Sequence, residues 1–168
     1  FLLACLSINY SINCNKKKYN VKKVVLTSSV AAIFDSLEKK DVYDESDWSD
    51  PDNPHISAYS KSKTLAEKAA WEFWKTEGHP FDLAVINPAL VVGASISGDI
   101  GESNKAVEMV ASGRMPVAVP LMFGYVDVRD VAAAHILAIQ VPRILALPHL
   151  LIDLFSLSLA LLLKIRSF

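Results

Sequence analysis

The sequence predicts an α/β fold in which helices flank a parallel sheet. Two short apolar runs, residues 24–26 and 83–86, have the composition of strands buried on both faces of such a sheet. A helical pattern covers residues 58–77 between them. Because a helix that joins neighbouring parallel strands crosses over right-handed, this order favours a strand, helix, strand unit.

The composition fits one compact domain. The chain has 168 residues, 52% of them hydrophobic, and a formal net charge of -1. It therefore shows no electrostatic preference for nucleic acid. The only cysteines, Cys5 and Cys14, are too few for a disulfide framework. We expect a reducing, cytoplasmic location, with a single disulfide as the alternative.

Polar residues follow both predicted strands. The first strand runs into Thr27, Ser28 and Ser29, and the second ends at Asn87 and Pro88. Open parallel sheets bind ligands outside the carboxyl ends of their strands. Both strand ends are therefore candidate positions for a functional site.

The helix has recognisable start and stop signals. Residues 42–55 are rich in Asp, Asn, Ser and Pro, which is typical of a loop. Ser57 is a candidate N-cap, Gly78 a C-terminal stop and Pro80 a barrier beyond it. These signals predict a helix over residues 58–77.

One face of this helix carries two polar side chains where a core face is expected. Steps of four, three, four and three residues align Tyr59, Lys63, Ala66, Ala70 and Phe73 on one stripe. The alanines would let the helix lie close to the sheet. We therefore expect Tyr59 and Lys63 to share the packed face.

This pair indicates acid/base chemistry. A tyrosine phenol is a weak acid, and a lysine ammonium one helical turn away favours its phenolate electrostatically. The hydroxyl of Ser29, at the adjacent strand end, could hold a substrate oxygen beside Tyr59. Because no side chain supplies hydride, a redox reaction at this site needs a nicotinamide.

The Tyr-Lys spacing is weak evidence by itself. Tyr19 and Lys23 have the same spacing in a basic loop that runs into a strand, where residues four apart share no helical face. Ser29 could merely cap a strand end, and Lys63 could rest its aliphatic stem on the helix with its ammonium in water. The combination of the helix with two polar strand ends is what favours a site.

A second helical pattern, VAAAHILAI, follows two acidic residues. Asp127 and Asp130 fit a turn and a helix cap better than catalytic roles. Arg129 has two interpretations, a contact to substrate or cofactor and a structural ion pair. No metal-ligand spacing surrounds His135, so we expect it in the core or on the surface.

The end of the chain is unusually apolar. Residues 144–165 are almost continuously hydrophobic and about as long as the ~20 residues that cross a bilayer. Pro148, His149 and Asp153 argue against a membrane span. We predict an atypical hydrophobic C-terminal helix, packed on the core or lying at an interface. The alternatives are a membrane span, which would make the protein membrane-associated, and a segment foreign to the native fold.

Five consecutive blocks resemble the extended short-chain dehydrogenase/reductase family. They are VKKVVLTSSVAAI, VYDESDWSD, AYSKSKTLAEKAAW, NPALVVG and YVDVRDVAAAHI, and they span about residues 21–140. The sequence is most similar to the dihydroflavonol-reductase-like branch of the NAD-dependent epimerase/dehydratase type. The resemblance implies a partial Rossmann-like sheet, NADP or NAD as cofactor, and a small-molecule carbonyl or alcohol as substrate.

The resemblance also implies a role for each candidate residue. Tyr59 would be the proton donor and acceptor, Lys63 would bind the nicotinamide ribose and favour the phenolate, and Ser29 would orient the substrate oxygen. Beyond Tyr59 and Lys63, the expected cofactor-binding residues lie at the strand ends and in the turn after the second strand: Thr27, Ser28, Asn87, Pro88, Ala89 and Val91.

The sequence also departs from that family. None of the six glycines stands between an early strand and an early helix, where the family carries its glycine-rich phosphate turn. We therefore expect an atypical N-terminal segment at residues 1–20, a catalytic half at 21–142 and a hydrophobic tail at 143–168. For this 168-residue chain we expect weak or no nicotinamide binding.

Two classes of function follow from these observations. The first is an NAD(P)-dependent oxidoreductase acting on a CH-OH or carbonyl group through Ser29, Tyr59 and Lys63. The alternatives are a non-catalytic fragment or pseudoenzyme that cannot hold a dinucleotide, and a nucleotide-sugar epimerase-like enzyme that uses the same residues.

Overall fold

The computed structural model describes residues 21–35, 40, 42–44, 46–114 and 124–140, together with the backbone of 150–152. The strands and helices alternate along most of this part of the chain, which confirms the predicted α/β class. The strands are β1 (Lys23–Thr27), β2 (Asp82–Pro88), β3 (Leu90–Val92), β4 (Tyr125–Asp127) and β5 (Leu150–Ile152). The helices are α1 (Ala58–Thr76), α2 (Glu102–Ala111) and α3 (Val128–Gln140), and a short 3-10 turn covers Val30–Ala32.

The strands form two parallel arrangements. One sheet has the order β1-β2-β5, and β3 pairs with β4 separately. In the first sheet Val24 pairs with Leu83 and Leu26 with Val85. Since β1 and β2 are adjacent, parallel and joined by α1, the predicted strand, helix, strand unit is confirmed.

Helix α1 begins and ends where its capping residues predict. The Ser57 hydroxyl oxygen accepts a hydrogen bond from the Ser60 amide at 2.9 Å. At the other end, Gly78 adopts a φ of 69°, and the His79 amide donates to the Trp74 carbonyl at 2.9 Å. The helix ends at Thr76, one residue short of the prediction.

The packed face of α1 differs from the predicted one. Tyr59 is 57% exposed, so the prediction that it lies on the packed face is wrong, and Lys63 is half-buried. Ala66 and Ala70 of the predicted stripe are buried as expected, and the neighbouring stripe is buried as well: Ser60, Thr64, Glu67 and Trp71. Both stripes have the same helical spacing, so periodicity alone cannot separate them, and the polar residues of the buried one make it resemble a solvent face.

The core consists of apolar clusters on the two faces of β2. Ala84 and Ile86 pack with Val126 and with the buried face of α3, whereas Leu83 and Val85 pack with Trp71 and Phe81. Side chains of a strand alternate between faces, so covering both faces buries β2 completely apart from its first residue.

Strand β1 is less buried than predicted. Residues Lys23 to Leu26 are half-buried and Thr27 is exposed, so burial on both faces is wrong for this strand. Within the described residues β1 pairs only with β2, and an edge strand receives less cover from the flanking helices.

Part of the apolar tail is a strand. Leu150–Ile152 pairs in parallel with Ile86, Asn87 and Pro88, so the prediction of a helix through residues 144–165 is wrong at these positions. A run of apolar residues suits a buried strand as well as a buried helix. The remainder of the tail and residues 1–20 lie outside the described residues. Across the described ranges, no helix is long and apolar enough to traverse a bilayer.

Candidate active site

The serine pair lies at the carboxyl end of β1 and is buried. The Ser28 amide donates a hydrogen bond to the Ile86 carbonyl at 2.8 Å, which extends the pairing of β1 and β2. The Ser29 hydroxyl oxygen accepts from the Ala31 amide at 3.2 Å and so caps the 3-10 turn. Because this cap uses only a lone pair, the Ser29 hydroxyl still has a proton to donate.

Asn87 links three elements at this edge of the sheet. Its side chain is fully buried at the end of β2. Its Nδ2 donates to the Ser29 carbonyl at 3.1 Å and to Glu67 Oε2 at 2.9 Å. The structure therefore brings Ser29 and Asn87 together, as predicted from the two strand ends.

Glu67 is a member of this network that the sequence analysis missed. Its residue exposure is 1%, and its Oε1 accepts from Trp71 Nε1 at 3.4 Å. The spacing of Ser60, Thr64, Glu67 and Trp71 repeats the steps of the stripe that contains Tyr59, so it permits burial of this stripe without singling it out. A glutamate on that stripe resembles an ordinary exposed residue until packing shows otherwise.

Tyr59 and Lys63 lie on the first turns of α1. The Lys63 ammonium is 5.9 Å from the centre of the Tyr59 ring, within the range of a cation–π contact. Helix α1 packs against the 3-10 turn that Ser29 caps, which places the two halves of the candidate site on contacting elements. Among the described residues, no hydrogen bond joins either side chain to Ser29.

Thr27, the last residue of β1, contacts α3. Its Oγ1 lies 2.7 Å from His135 Nε2, and His135 Nδ1 lies 2.7 Å from the Val131 carbonyl. A carbonyl only accepts, so Nδ1 carries a proton and donates it. His135 therefore connects α3 to the end of β1. The described part of the chain holds no group of three or more His, Cys, Asp or Glu residues that could bind a metal.

The turn from β2 into β3 carries the other candidate cofactor residues. Pro88 is buried, whereas Ala89 and Val91 are half-buried. The Val91 side chain packs against the core cluster that contains Ile86.

Asp127 and Arg129 form a bidentate ion pair at the start of α3. Arg129 donates from its amide and Nε to Asp127 Oδ1 at 2.8 and 2.9 Å, and from Nη2 to Oδ2 at 2.7 Å. These hydrogen bonds lower the pKa of Asp127 to about 2. The contacts confirm the expected cap by Asp127 and the structural ion pair of Arg129.

Known proteins are similar to this chain in sequence and in structure. Over 126 residues the chain is 40% identical to cinnamoyl-CoA reductase 1 of Arabidopsis thaliana, a match that covers 73% of this chain and 36% of that protein. The structure is similar to the yeast methylglyoxal/isovaleraldehyde reductase complexed with NADPH, with a TM-score of 0.72, 32% identity, and 89% and 49% coverage of the two chains.

Vestitone reductase from alfalfa gives a TM-score of 0.73 at 32% identity, covering 90% of this chain and 48% of that one. The chain thus spans about half the length of these solved structures and 36% of the plant relative. A family model described as the NAD dependent epimerase/dehydratase family matches residues 8–149. The resemblance to extended short-chain dehydrogenases/reductases is thereby confirmed. The chain belongs to the NAD dependent epimerase/dehydratase family.

Proposed function

We propose that this chain carries the catalytic half of an NAD(P)-dependent oxidoreductase that acts on a carbonyl or alcohol group of a small molecule. The observation that carries the proposal is the contact between Ser29 and Asn87 at the sheet edge, beside the helix that bears Tyr59 and Lys63. The names of the relatives support this reaction class, because they are reductases and one is complexed with NADPH.

In the proposed reduction, Tyr59 donates a proton to the substrate oxygen while the carbonyl carbon is reduced. Ser29 donates a hydrogen bond to the same oxygen and holds it near the phenol. Lys63 places a positive charge 5.9 Å from the Tyr59 ring centre, which stabilises the phenolate left after proton transfer. NADPH or NADH supplies the hydride when bound.

The exposure of Tyr59 fits a role in which its phenol must reach a substrate. In the described part of the chain its hydroxyl has no hydrogen-bond partner, and 57% of the residue is accessible. A phenol already used in a buried network would have to break a hydrogen bond before donating its proton. Tyr59 needs no such step.

The residues at the sheet edge fit a nicotinamide. Two buried polar atoms there, Ser28 Oγ and Asn87 Oδ1, have no hydrogen-bond partner in the described part of the chain. Burying polar atoms without partners is costly, so two unmatched atoms at one edge are compatible with a bound polar group or water that completes their hydrogen bonds. Together with the edge residue Thr27 and with Pro88, Ala89 and Val91 in the adjoining turn, they form the cofactor-binding set that we propose, with Tyr59 and Lys63 on the ribose side.

We further propose that the substrate is an aldehyde, ketone or thioester. Cinnamoyl-CoA is the substrate named for the plant relative, and methylglyoxal and isovaleraldehyde are those named for the yeast enzyme. The two cysteines and the lack of a strong net charge are compatible with a cytoplasmic enzyme that binds small molecules rather than nucleic acid.

The test is NADPH oxidation by a full-length protein that carries this chain, as wild type and as Tyr59→Phe, with a panel of aldehydes, ketones and thioesters. Removing the proton donor should lower kcat about 10²- to 10⁴-fold, the usual contribution of a general acid. Tyr19→Phe is the matched control, because Tyr19 has the same spacing to a lysine in a segment predicted as a loop. It should retain wild-type turnover.

Three outcomes are informative. Undiminished hydride transfer in Tyr59→Phe would remove this residue from the mechanism. A wild-type protein that neither binds NADPH nor oxidises it with any of these carbonyls would favour the non-catalytic alternative. Loss of activity in Tyr59→Phe, with wild-type activity in Tyr19→Phe, supports the proposal.

A further inference from the structure

A buried carboxyl group that the proposed chemistry does not use lies in the middle of α1. Glu67 is 1% exposed, although it is one helical turn from the half-buried Lys63. A carboxyl group buried in a protein must be compensated by hydrogen bonds. Two of these are the contacts of Glu67 with Asn87 and Trp71, at 2.9 and 3.4 Å.

The orientation of the Asn87 amide follows from its neighbours. The Ser29 carbonyl can only accept, so the Asn87 NH₂ group must face it. The same NH₂ group donates its other proton to Glu67 Oε2. Asn87 Oδ1 therefore lies away from both partners, and it is one of the two unmatched buried atoms at the sheet edge.

We propose that Glu67 is a positioning residue that fixes Ser29 relative to Tyr59 and Lys63 through Asn87. This inference rests on the proposed function, in which Ser29 orients the substrate oxygen. Glu67 belongs to the helix that carries Tyr59 and Lys63. Asn87 spans the gap from that helix to the backbone of Ser29. This hydrogen-bonded bridge acts beside the packing of α1 against the 3-10 turn, and it joins the two elements that carry the proton donor and the orienting hydroxyl.

The same bridge also sets the direction of Asn87 Oδ1. If Glu67 no longer accepts from Nδ2, the amide is held only by the Ser29 carbonyl at 3.1 Å and can rotate. Both the carbonyl position of Ser29 and the free acceptor of Asn87 would then be less well defined. Small displacements of this kind reduce turnover far more than they reduce binding.

Substitutions at Glu67 separate positioning from simple stabilisation. Glu67→Gln keeps the shape and one acceptor oxygen, which can serve Asn87, whereas Glu67→Ala removes both acceptors. The matched controls are Glu72→Gln and Glu72→Ala, because Glu72 is an exposed glutamate on the same helix. A positioning role predicts that the disturbance of the site increases from wild type to Glu67→Gln to Glu67→Ala. The two Glu72 variants should show no such trend.

The first measurement does not depend on activity. In ¹H-¹⁵N spectra of the full chain, the side-chain amide of Asn87 should be protected from exchange with solvent. Glu67→Gln should shift this signal and the backbone amide of Ser29, and Glu67→Ala should shift both further. If Glu67→Gln, which preserves the shape of the site, leaves both signals as they are in Glu72→Gln, the bridge does not position Ser29 and the proposal is overturned.

The second measurement is steady-state kinetics on folded protein. Glu67→Ala should lower kcat about 10- to 100-fold with KM changed much less, and Glu67→Gln should recover part of this loss. Equal kcat values for the Glu67 and Glu72 variants would overturn the inference while leaving the proposed function intact. If the wild-type protein has no turnover, the proposed function fails, and the Ser29 and Asn87 signals alone decide whether Glu67 fixes their geometry.

Discussion

The two sides of the candidate site differ in how the protein holds them. On the serine side, Ser29 is 8% exposed and Asn87 is fully buried, and hydrogen bonds connect them to each other and to Glu67. On the tyrosine side, Tyr59 is 57% exposed, and its ring makes a cation–π contact with the Lys63 ammonium at 5.9 Å. Buried hydrogen bonds fix the serine side, whereas the tyrosine side projects from the first turns of α1.

This difference separates what folding requires from what catalysis requires. On the serine side, buried polar groups of Ser29, Asn87 and Glu67 are joined by hydrogen bonds, so these residues contribute to the stability of the molecule as well as to the site. Ser49 extends this side, because its hydroxyl donates to the Ala31 carbonyl at 2.8 Å. The phenol of Tyr59 contributes no such contact in the described structure. Changes on the two sides should therefore affect different measurements.

The largest effect on stability is expected for Asn87→Leu. The substitution leaves the Ser29 carbonyl and the Glu67 carboxyl without the Asn87 donor in a buried site. Each group loses one buried hydrogen bond, although the Ser29 carbonyl keeps the Ala32 amide and Glu67 keeps Trp71 as donors. Such a loss costs about 1–3 kcal/mol, so we expect the free energy of unfolding to fall by about 3 kcal/mol. Urea denaturation followed by tryptophan fluorescence measures it. A loss no greater than that of Tyr59→Phe would contradict the contrast between the two sides.

The next largest effect is expected for Gly93→Ala, just after β3. Gly93 has a φ of 145°, and an added Cβ would lie 2.6 Å from Val128 Cγ1 at the start of α3. Strained backbone and overpacking together should cost about 1–3 kcal/mol. Gly101→Ala is the control, since nothing lies within 4 Å of its added Cβ. Equal thermal stability of the two variants would show that this contact is relieved without cost.

A smaller effect, present at neutral pH and lost in acid, is expected for Asp127→Asn. Hydrogen bonds from Arg129 lower the pKa of Asp127 from 3.8 to about 2 in the folded protein. A lowered folded-state pKa means that the charged form adds stability above about pH 4, and that this part is lost as the pH falls towards 2. The difference in unfolding free energy between wild type and Asp127→Asn should be constant near neutral pH and shrink over that range.

The pH-dependent comparison has a clear opposite outcome. A stability difference that is the same at pH 7 and at pH 2 would show that the carboxylate charge of Asp127 is not responsible. The side-chain oxygen of Asn can still accept from the Arg129 amide, so the helix cap should survive and only the charge is tested.

The smallest effect on stability is expected for Tyr59→Phe. The change removes a hydroxyl that lies on an exposed turn of α1. This hydroxyl has no hydrogen-bond partner in the described part of the chain. The unfolding free energy should change by no more than about 0.5 kcal/mol. Because activity should fall strongly in the same variant, a large loss of stability would place Tyr59 with the buried side after all.

Local signals in the sequence predicted the order of elements and the limits of α1. Ser57 and Gly78 mark its ends because capping and a positive φ depend on the residues at the helix ends themselves. The apolar run at residues 83–86 predicted a buried strand, and β2 is that strand. The family resemblance rested on the same local blocks and is confirmed by the match over residues 8–149.

Other features depend on partners distant in sequence. The burial of Glu67 and the exposure of Tyr59 depend on how α1 packs on the turn after β1 and, through Trp71, on Leu83 and Val85 of β2. The strand at Leu150–Ile152 is similar, because an apolar run becomes a strand only if a sheet edge offers it hydrogen bonds.

By itself, the sequence determined the α/β class and the strand, helix, strand unit, since these follow from local periodicity and capping. It predicted the residues of the proposed chemistry from side-chain type and from the family resemblance. Only the tertiary structure decided that Asn87 bridges Ser29 and Glu67 across 58 and 20 residues of sequence. Such a bridge forms because burial removes water as a competing partner, and burial is a property of the packed molecule rather than of any local segment.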